Sequence, residues 1–206
     1  MTAAPIGPTL VSGLRRSVVR EAGMLELLAA EMRIAELEKA LEKAREDAYL
    51  DPLTGALNRR GFDKACQREL SRIQRKAAHY AIAYIDLDDF KKLNDTLGHH
   101  VGDQALVHLV SLLHRSMRPS DVLCRFGGEE FVMMLPETTL EDAFKVVSRF
   151  LGEFTAQEIP GANRPISFSA GVAVLQAGES LDEVMRRADA AAHVAKREGK
   201  NRVVAG

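Results

Sequence analysis

The sequence predicts an α+β fold, in which a central, mostly antiparallel sheet is flanked by helices and preceded by a coiled-coil helix. Short apolar runs of strand length alternate with longer segments of helical periodicity through most of the chain. Two of the short runs are joined by Gly127 and Gly128, a pair typical of a hairpin between antiparallel strands. A heptad pattern near the N-terminus comes before all of them and predicts the coiled coil.

The N-terminal region divides into two parts. Residues 1–22 contain prolines and glycines and no sustained period, which predicts a flexible or weakly helical segment. Residues 23–49 have apolar positions in steps of three and four, namely Leu27, Ala30, Ile34, Leu37, Leu41, Ala44 and Ala48. This seam fits either an amphipathic helix lying on its own domain or a parallel coiled coil that dimerises the chain. Its narrowness and the charged remaining faces favour the coiled coil.

Residues 50–206 are predicted to form one domain. Pro52 and Gly55 mark a turn, and Asn58 is placed to cap the helix that follows. After that helix we expect a strand, two helices, two hairpin strands, a helix, a strand, a helix and a short final strand. In this arrangement the hairpin lies at the heart of a sheet backed by helices.

Acidic residues follow two of the predicted strands. Asp86 ends the apolar run AIAYI, and Glu129 and Glu130 follow the hairpin glycines. If the two strands are neighbours, these carboxylates converge at one rim of the sheet, where they repel one another unless a cation separates them. Oxygen ligands of this kind suit Mg²⁺ or Mn²⁺. For Asp88 and Asp89 we expect helix capping instead.

Lysines and a helix start are predicted near the same rim. The helix that begins at Phe90 directs its first backbone N–H groups towards the rim, and Lys91 adds a full positive charge. Lys196 and Lys200 flank the end of the last helix. Phosphate binding is one reading of these lysines, and the other is that they complement the dipoles of their helices.

Composition narrows the range of functions. With 28 lysines and arginines against 29 aspartates and glutamates, the chain gives no electrostatic reason to expect a nucleic-acid partner. No apolar run approaches the ~20 residues that a membrane helix needs, so no membrane is expected as a partner of this chain. Cys66 and Cys124 lack metal-site spacing and are typical of free thiols in a reducing compartment, which predicts a cytoplasmic protein.

Five motifs in order resemble those of the GGDEF-domain diguanylate cyclases, with GGEEF at Gly127–Phe131 as a variant of the signature. They are DPLTGALNRRGF, IDLDDFKKLNDTLGHHVGD, RFGGEEF, SAGVA and AKREGKNRV, and they cover about Asp51 to Val204. The resemblance implies a palm-type nucleotidyl cyclase fold. It also implies a homodimer in which each protomer binds one GTP, and a reaction that joins two GTP into cyclic di-GMP with release of two pyrophosphates.

The resemblance implies roles for the acidic residues. Asp86 and Glu129 would ligate Mg²⁺ or Mn²⁺ together with the backbone carbonyl of Leu87. Glu129 would also deprotonate the ribose 3′-hydroxyl, and Lys91 would act beside it as a catalytic residue at a phosphate-binding position. Glu130 is a further acidic residue of the signature without a defined role.

The resemblance also implies a nucleotide-binding set. Lys196 and Lys200 match phosphate-binding positions, and Gly127 and Gly128 would let the nucleotide approach the hairpin backbone. The guanine-reading residues would be Asn94 and Asp103, with His99 beside them. A carboxylate such as Asp103 accepts from guanine's N1–H and N2–H₂ together, which favours GTP over adenine nucleotides.

A second site is implied by RPSD, which matches the family's RxxD product-inhibition motif. Arg118 and Asp121 belong to it, and Arg149 falls where the family often supplies another arginine. An arginine binds guanine or phosphate with two parallel hydrogen bonds. Pro-Ser-Asp is also ordinary turn chemistry, so the motif has a purely structural alternative.

Three functional hypotheses follow from the sequence. The first is a metal-dependent, product-inhibited diguanylate cyclase. The second is a catalytically silent domain that senses cyclic di-GMP or GTP. The third is a chain that mainly dimerises and relays a signal through the helix of residues 23–49.

Overall fold

The computed structural model describes residues 8–73, 79–162 and 164–206. The chain divides between Ala48 and Tyr49 into two compact units, each with its own architecture. Within the described residues no helix is both long and apolar enough to cross a membrane.

The first unit is a single helix, α1, from Pro8 to Asp47. The helix begins at Pro8, within the segment of residues 1–22 that was expected to be flexible or weakly helical, and residues 1–7 lie outside the described part of the chain. A proline suits the first position of a helix, and an interior glycine weakens a helix by only about 1 kcal/mol, so a long helix tolerates both. The large apolar side chains of its described part are exposed, namely Met24, Leu25, Leu27, Leu28, Met32, Ile34, Leu37 and Leu41.

The second unit contains five helices and five strands among its described residues. They are α2 (Arg59–Ile73), β1 (Tyr80–Leu87), α3 (Phe90–Leu97), α4 (His99–Ser116), β2 (Val122–Arg125), β3 (Glu130–Pro136), α5 (Leu140–Thr155), β4 (Phe168–Val174), α6 (Leu181–Arg197) and β5 (Val203–Ala205). The predicted order of elements is confirmed. The Asn58 cap is confirmed as well, because its Oδ1 accepts from the Gly61 N–H at 3.0 Å.

The sheet has the strand order β2-β3-β1-β4-β5, antiparallel except for the β4–β5 pair. The predicted mostly antiparallel sheet is confirmed, but the hairpin is not at its heart. The β2–β3 hairpin occupies one side of the sheet, and β1 is the central strand. Residue order along the chain does not determine this placement, because β1 pairs with β4 although residues 88–167 lie between the two strands.

The alternation of side chains along β1 separates two apolar clusters. Ala81, Ala83 and Ile85 belong to the cluster that includes residues of α3, α4 and α5. Ile82 and Tyr84 belong to the cluster that includes residues of α2 and α6. Because side chains alternate along a strand, the next even position, residue 86, projects towards the side of α6.

Two features position helix α6: a capping box defines its first residue, and its middle packs closely against the sheet. Ser180 and Glu183 form a capping box at its N-terminus. Gly171 of β4 faces the helix so closely that an added Cβ would overlap the Ala188 carbonyl oxygen and the Ala192 nitrogen. This contact determines how far the last turn of α6, with Lys196, lies from the end of β1.

Candidate active site

The two predicted strand ends lie side by side, as the convergence argument requires. Asp86 pairs in register with Glu130 across the β1–β3 ladder. Glu129 immediately precedes β3, and its carbonyl accepts from the Leu87 N–H at 3.2 Å. Asp86, Leu87 and both glutamates therefore meet at one rim of the sheet.

Asp86 is a buried carboxylate with one engaged oxygen. Its Oδ2 receives Lys196 Nζ at 2.5 Å, whereas Oδ1 is buried and has no hydrogen-bond partner among the described residues. Burial raises the pKa of Asp86, and the hydrogen bond from Lys196 only partly offsets this, while Glu130 and Asp88 raise the pKa further. A cation next to Oδ1 would satisfy this oxygen and favour the charged form.

The adjacent glutamates have different surroundings. Glu129 is half-buried, and burial raises its pKa, as do the nearby carboxylates of Asp86 and Glu130. Glu130 accepts a hydrogen bond from the Tyr84 hydroxyl at 3.0 Å. Burial and this hydrogen bond raise the pKa of Tyr84, which keeps its hydroxyl protonated as a donor. The protein's own contacts thus fix Glu130 more firmly than Glu129.

The donor set at the rim fits a divalent cation that keeps water or phosphate ligands. No group of three or more histidine, cysteine, aspartate or glutamate side chains in the described ranges is gathered closely enough to hold a metal alone. Two carboxylates and one backbone carbonyl are available at the rim, and Mg²⁺ is commonly held by one or two carboxylates plus substrate phosphates. The buried, unpartnered oxygen of Asp86 supports this fit.

A depression of ≈ 450 Å³ lies against this rim. Several predicted site residues line it together, namely Leu87, Glu129, Lys91, Lys196 and Lys200, and so do Asp88, Asp89, Phe90, Lys92 and Asp95. Lys196 pairs with Asp86, and Lys200 pairs with Asp89 at 2.8 Å. Four lysines around one depression beside a helix N-terminus form an environment suited to a polyphosphate.

The predicted capping role of Asp88 and Asp89 is wrong. Asp89 occupies the N-cap position of α3, but its side chain makes no capping hydrogen bond. Its backbone is left-handed, with φ of 54°, and its carboxylate accepts from Lys200 instead. Asp88 is buried and binds Ser167, Ser169 and the backbone of Asn201. Both carboxylates are drawn away from the helix by donors that lie far along the sequence.

The hairpin connection is longer than the predicted Gly-Gly turn. Four residues, 126–129, separate β2 from β3, and neither Gly127 nor Gly128 has a positive φ. A Cβ at Gly127 would overlap Oε2 of Glu130, whereas a Cβ at Gly128 would meet nothing within 4 Å. Gly127 therefore makes room for a neighbouring carboxylate, and Gly128 leaves open space above the turn.

An ion pair that the sequence did not predict supports this connection. Arg125 donates to Asp51 Oδ1 at 3.1 Å and to the Gly128 carbonyl at 2.7 Å. Tyr84 is a second residue absent from the prediction, through its contact with Glu130. The arginine two residues before the first glycine was the only available signal, because no local pattern identifies a partner at residue 51.

The predicted guanine-reading residues lie beside the depression rather than in it. Asn94 is on α3, while His99 and Asp103 are exposed on the first turns of α4. Asn94 Oδ1 is buried without a hydrogen-bond partner among the described residues, and a Cβ at Gly102 would overlap it. The Asn94 side chain is therefore in close contact with the first turn of α4 at Gly102.

The RPSD segment forms a turn. The Arg118 N–H donates to Asp121 Oδ2 at 2.8 Å, and the Asp121 N–H donates to the Arg118 carbonyl at 3.0 Å. The Arg118 side chain is exposed. Burial raises the pKa of Asp121, and the Arg118 N–H only partly offsets this. Arg149 is exposed on α5, where it pairs with Glu153 at 3.8 Å.

Three comparisons with known proteins agree on the family. A family model for "Diguanylate cyclase, GGDEF domain" matches residues 48–202. Diguanylate cyclase DgcP of Pseudomonas aeruginosa is 36% identical over 165 residues, which are 79% of this chain and 25% of DgcP. Diguanylate cyclase DgcM of Escherichia coli is 35% identical over 202 residues, which are 95% of this chain and 49% of DgcM.

A solved structure is similar along most of the chain. The coiled coil and GGDEF domain of DgcB from Caulobacter crescentus, in complex with c-di-GMP, has a TM-score of 0.83 and 32% identity and covers 89% of this chain and 98% of its own. The chain spans a quarter of DgcP and about half of DgcM. With a family match over most of its length and these relatives, the chain belongs to the GGDEF-domain diguanylate cyclase family.

Proposed function

We propose that this chain is a diguanylate cyclase that condenses two GTP into cyclic di-GMP. The observation that carries the proposal is the Asp86 Oδ1 atom, which is buried and has no hydrogen-bond partner among the described residues, beside Glu129 at the rim of a depression lined by lysines. A carboxylate pair with this acceptor, next to lysines suited to a polyphosphate, fits metal-assisted phosphoryl transfer.

Each condensation step forms one bond and breaks one. The 3′-oxygen of one GTP bonds to the α-phosphorus of the other, and the bond between the α- and β-phosphates breaks to release pyrophosphate. Two such steps close the ring and release two pyrophosphates. Because the ribose and the phosphate come from different nucleotides, two protomers must face each other.

Named residues supply the groups that this step requires. Glu129 accepts the proton of the attacking hydroxyl, a role suited to its raised pKa. Lys91, Lys196 and Lys200 hold the triphosphate together with the first N–H groups of α3. Mg²⁺ or Mn²⁺, held by Asp86, Glu129 and the Leu87 carbonyl, would supply further positive charge at the reacting phosphates.

Guanine selection is assigned to Asn94 and Asp103, with His99 beside them. The grouping of these residues where α3 meets α4 supports this assignment, because an amide and a carboxylate offer acceptors to the N–H donors of a guanine edge. The turn formed by Arg118 and Asp121, with Arg149 on α5, is proposed as the product-inhibition site. Its support is the exposed guanidinium of Arg118, which is accessible to a ligand.

The test is to incubate the purified chain with GTP and Mg²⁺ and to measure cyclic di-GMP over a series of protein concentrations. We expect product formation that rises more steeply than linearly with protein. Glu129→Gln should abolish turnover while the thermal unfolding midpoint stays close to that of the wild type. An absence of product at high protein concentration, or a Glu129→Gln variant with full rate, would contradict the proposal.

Dimerisation through α1 is proposed on the basis of its exposed apolar seam. Ile34→Glu is expected to shift the chain to monomers and to lower specific activity, as measured by light scattering and product formation at the same concentrations. Lys39→Glu is the matched control, because it adds the same charged residue away from the seam. If Ile34→Glu leaves both measurements unchanged, α1 does not hold the dimer.

A silent domain that binds GTP or cyclic di-GMP is the second candidate. The observation in its favour is that Lys196 already bonds the Asp86 carboxylate, which the cyclase proposal assigns to a metal. Tight nucleotide binding by the wild-type chain, without turnover at any protein concentration, would support this candidate.

A further inference from the structure

Asp88 is the most fully engaged carboxylate at the rim. Its Oδ2 accepts from Ser167 Oγ at 2.6 Å and from the Asn201 N–H at 3.0 Å, and its Oδ1 accepts from Ser169 Oγ at 2.6 Å. Its own N–H donates to the Ser167 carbonyl at 2.9 Å. Only 8% of the residue is exposed. Because three protein donors occupy its two oxygens, Asp88 is poorly suited to bind a metal.

The turn that Asp88 holds has an unusual backbone. Gly199, Lys200 and Asn201 have consecutive positive φ angles of 114°, 63° and 49°. Side-chain-bearing residues adopt this conformation at a cost, and it persists when the surrounding contacts determine it. The Asn201 N–H, directed at the Asp88 carboxylate, is such a contact.

The same turn carries Lys200 to the depression. Lys200 Nζ donates to Asp89 Oδ1 at 2.8 Å, so adjacent aspartates of the β1–α3 loop hold adjacent residues of the α6–β5 turn. Asp88 holds the backbone of the turn, and Asp89 holds the lysine side chain. The β1–α3 loop and the turn that carries Lys200 are thus held together by two neighbouring contacts.

We infer that Asp88 is a positioning residue for the triphosphate of the nucleotide. It acts through Asn201 to fix Lys200 opposite the Leu87 carbonyl and the first turn of α3. The inference rests on the proposed function, because it takes Lys200 as a phosphate ligand. It assigns to the second acid of the sequence Asp86-Leu87-Asp88 a task distinct from metal binding.

A carboxylate is required at this position because of the donors around it. Three donors converge on two acceptor oxygens. In Asp88→Asn, the side chain loses one acceptor oxygen and the negative charge that strengthens all three hydrogen bonds. The variant keeps the shape of the side chain and weakens its hold on the Asn201 N–H, so we expect the turn to shift and Lys200 to lose its position.

The test is a double-mutant cycle on nucleotide affinity, measured by calorimetry with a non-hydrolysable GTP analogue and Mg²⁺. We expect Asp88→Asn to weaken binding about tenfold, as is typical when a charged hydrogen bond is lost. Lys200→Ala should weaken it to a similar degree. In the double variant the effects should not add, because Asp88 acts through Lys200.

Thr138→Val is the matched control for lost stability. It removes a buried hydroxyl that donates to the Pro136 carbonyl at 2.9 Å. Pro136 is at the far end of β3 from Glu130, so the substitution lies away from the rim. It should lower the unfolding midpoint without changing analogue affinity. If Asp88→Asn does not fold, Ser169→Ala removes one of the three donors and should weaken binding in the same direction, again without adding to Lys200→Ala.

Two outcomes would overturn the inference. One is full additivity of the Asp88 and Lys200 effects. The other is an Asp88→Asn variant that binds the analogue with unchanged affinity but needs a different Mg²⁺ concentration for half-maximal binding, measured at saturating analogue. That result would make Asp88 a metal ligand. Failure of the proposed function is distinguishable from either, because a wild-type chain that binds the analogue but makes no cyclic di-GMP still gives a readable cycle.

Discussion

Arg125 bonds both the Gly128 carbonyl, three positions along the chain, and Asp51, 74 positions before it. Its Nη1 donates to both oxygens of Asp51, at 3.1 and 3.2 Å, and its Nε and Nη2 donate to Gly128 at 3.2 and 2.7 Å. Both side chains are only 16% exposed. The turn at the start of the second unit is thereby tied to the connection that carries Glu129.

Replacing Arg125 with lysine should weaken both the fold and the site. Lysine keeps the charge but lacks the planar fork, so it cannot serve Asp51 and Gly128 together. We expect a loss of about 1–2 kcal/mol in unfolding free energy, within the range for charged hydrogen bonds, and a lower kcat/KM. Urea unfolding and initial rates measure the two effects. Arg33→Lys, in an exposed pair with Glu36, should change neither.

The same ion pair predicts how stability depends on pH. Burial alone would raise the pKa of Asp51, but hydrogen bonds from Thr54 and Arg125 outweigh it, so the pKa lies below its ordinary value of 3.8. A lowered folded-state pKa stabilises the fold above the unfolded-state pKa, and this contribution is lost as the pH falls through the folded-state pKa. The stability advantage over Asp51→Asn should therefore be constant near neutrality and shrink below about pH 4.

Urea unfolding of both proteins at a series of pH values measures this difference. A difference that stays constant through the acid range would show that the charge of Asp51 contributes nothing to stability. A difference that grows on acidification would contradict the direction of the pKa shift.

Gly171→Ala should be strongly destabilising. The added methyl group would overlap backbone atoms of Ala188 and Ala192 and lie 2.7 Å from the Ala191 Cβ, so α6 must move away from the sheet. Overpacking of this kind costs about 1–3 kcal/mol or more. Gly152→Ala on α5 is the control, because nothing lies within 4 Å of its Cβ and alanine is the better helix former. We expect unfolding midpoints to move in opposite directions, and a neutral Gly171→Ala would refute the close contact.

Arg118→Ala should relieve product inhibition if the RPSD turn binds cyclic di-GMP. Loss of a guanidinium that contacts guanine or phosphate should raise the half-inhibitory product concentration about tenfold, with the uninhibited rate unchanged. Arg115→Ala, an exposed arginine at the end of α4, should leave inhibition intact. Equal inhibition of wild type and Arg118→Ala would leave the motif as turn chemistry alone.

The elements of the second unit could be predicted because their signals are local. The alternation around Phe168 and the three-and-four spacing around Ala188 each lie within one strand or helix. The sequence predicted that Asp86 and Glu129 lie close together only if β1 and β3 are neighbouring strands, and it did not establish that pairing. The family and the mostly antiparallel fold are confirmed, whereas the residue roles, the dimer and the cytoplasmic location stay predictions.

What the sequence did not predict depends on pairs far apart in the chain. Asp88 looked like a cap because its real donors, Ser169 and Asn201, lie 81 and 113 positions away. Asp51 was given no role of its own for the same reason, since Arg125 lies 74 positions away. An aspartate can bond a nearby backbone N–H or a donor from a distant part of the chain. The tertiary structure decides between the two, and the local spacing of residues does not reveal which one is bound.

The two glycines of the GGEEF connection have a consequence for judging variants of this signature. At position 127 the constraint comes from within the molecule, because the Glu130 carboxylate occupies the space of a side chain. At position 128 the space is open, so any constraint there comes from whatever approaches from outside. Alanine at 127 would push aside the end of the Glu130 side chain and so disturb its contact with Tyr84, whereas alanine at 128 would show a defect only when a ligand is added. The two neighbouring glycines are thus constrained by different things, one by a side chain of the protein and the other by what binds to it.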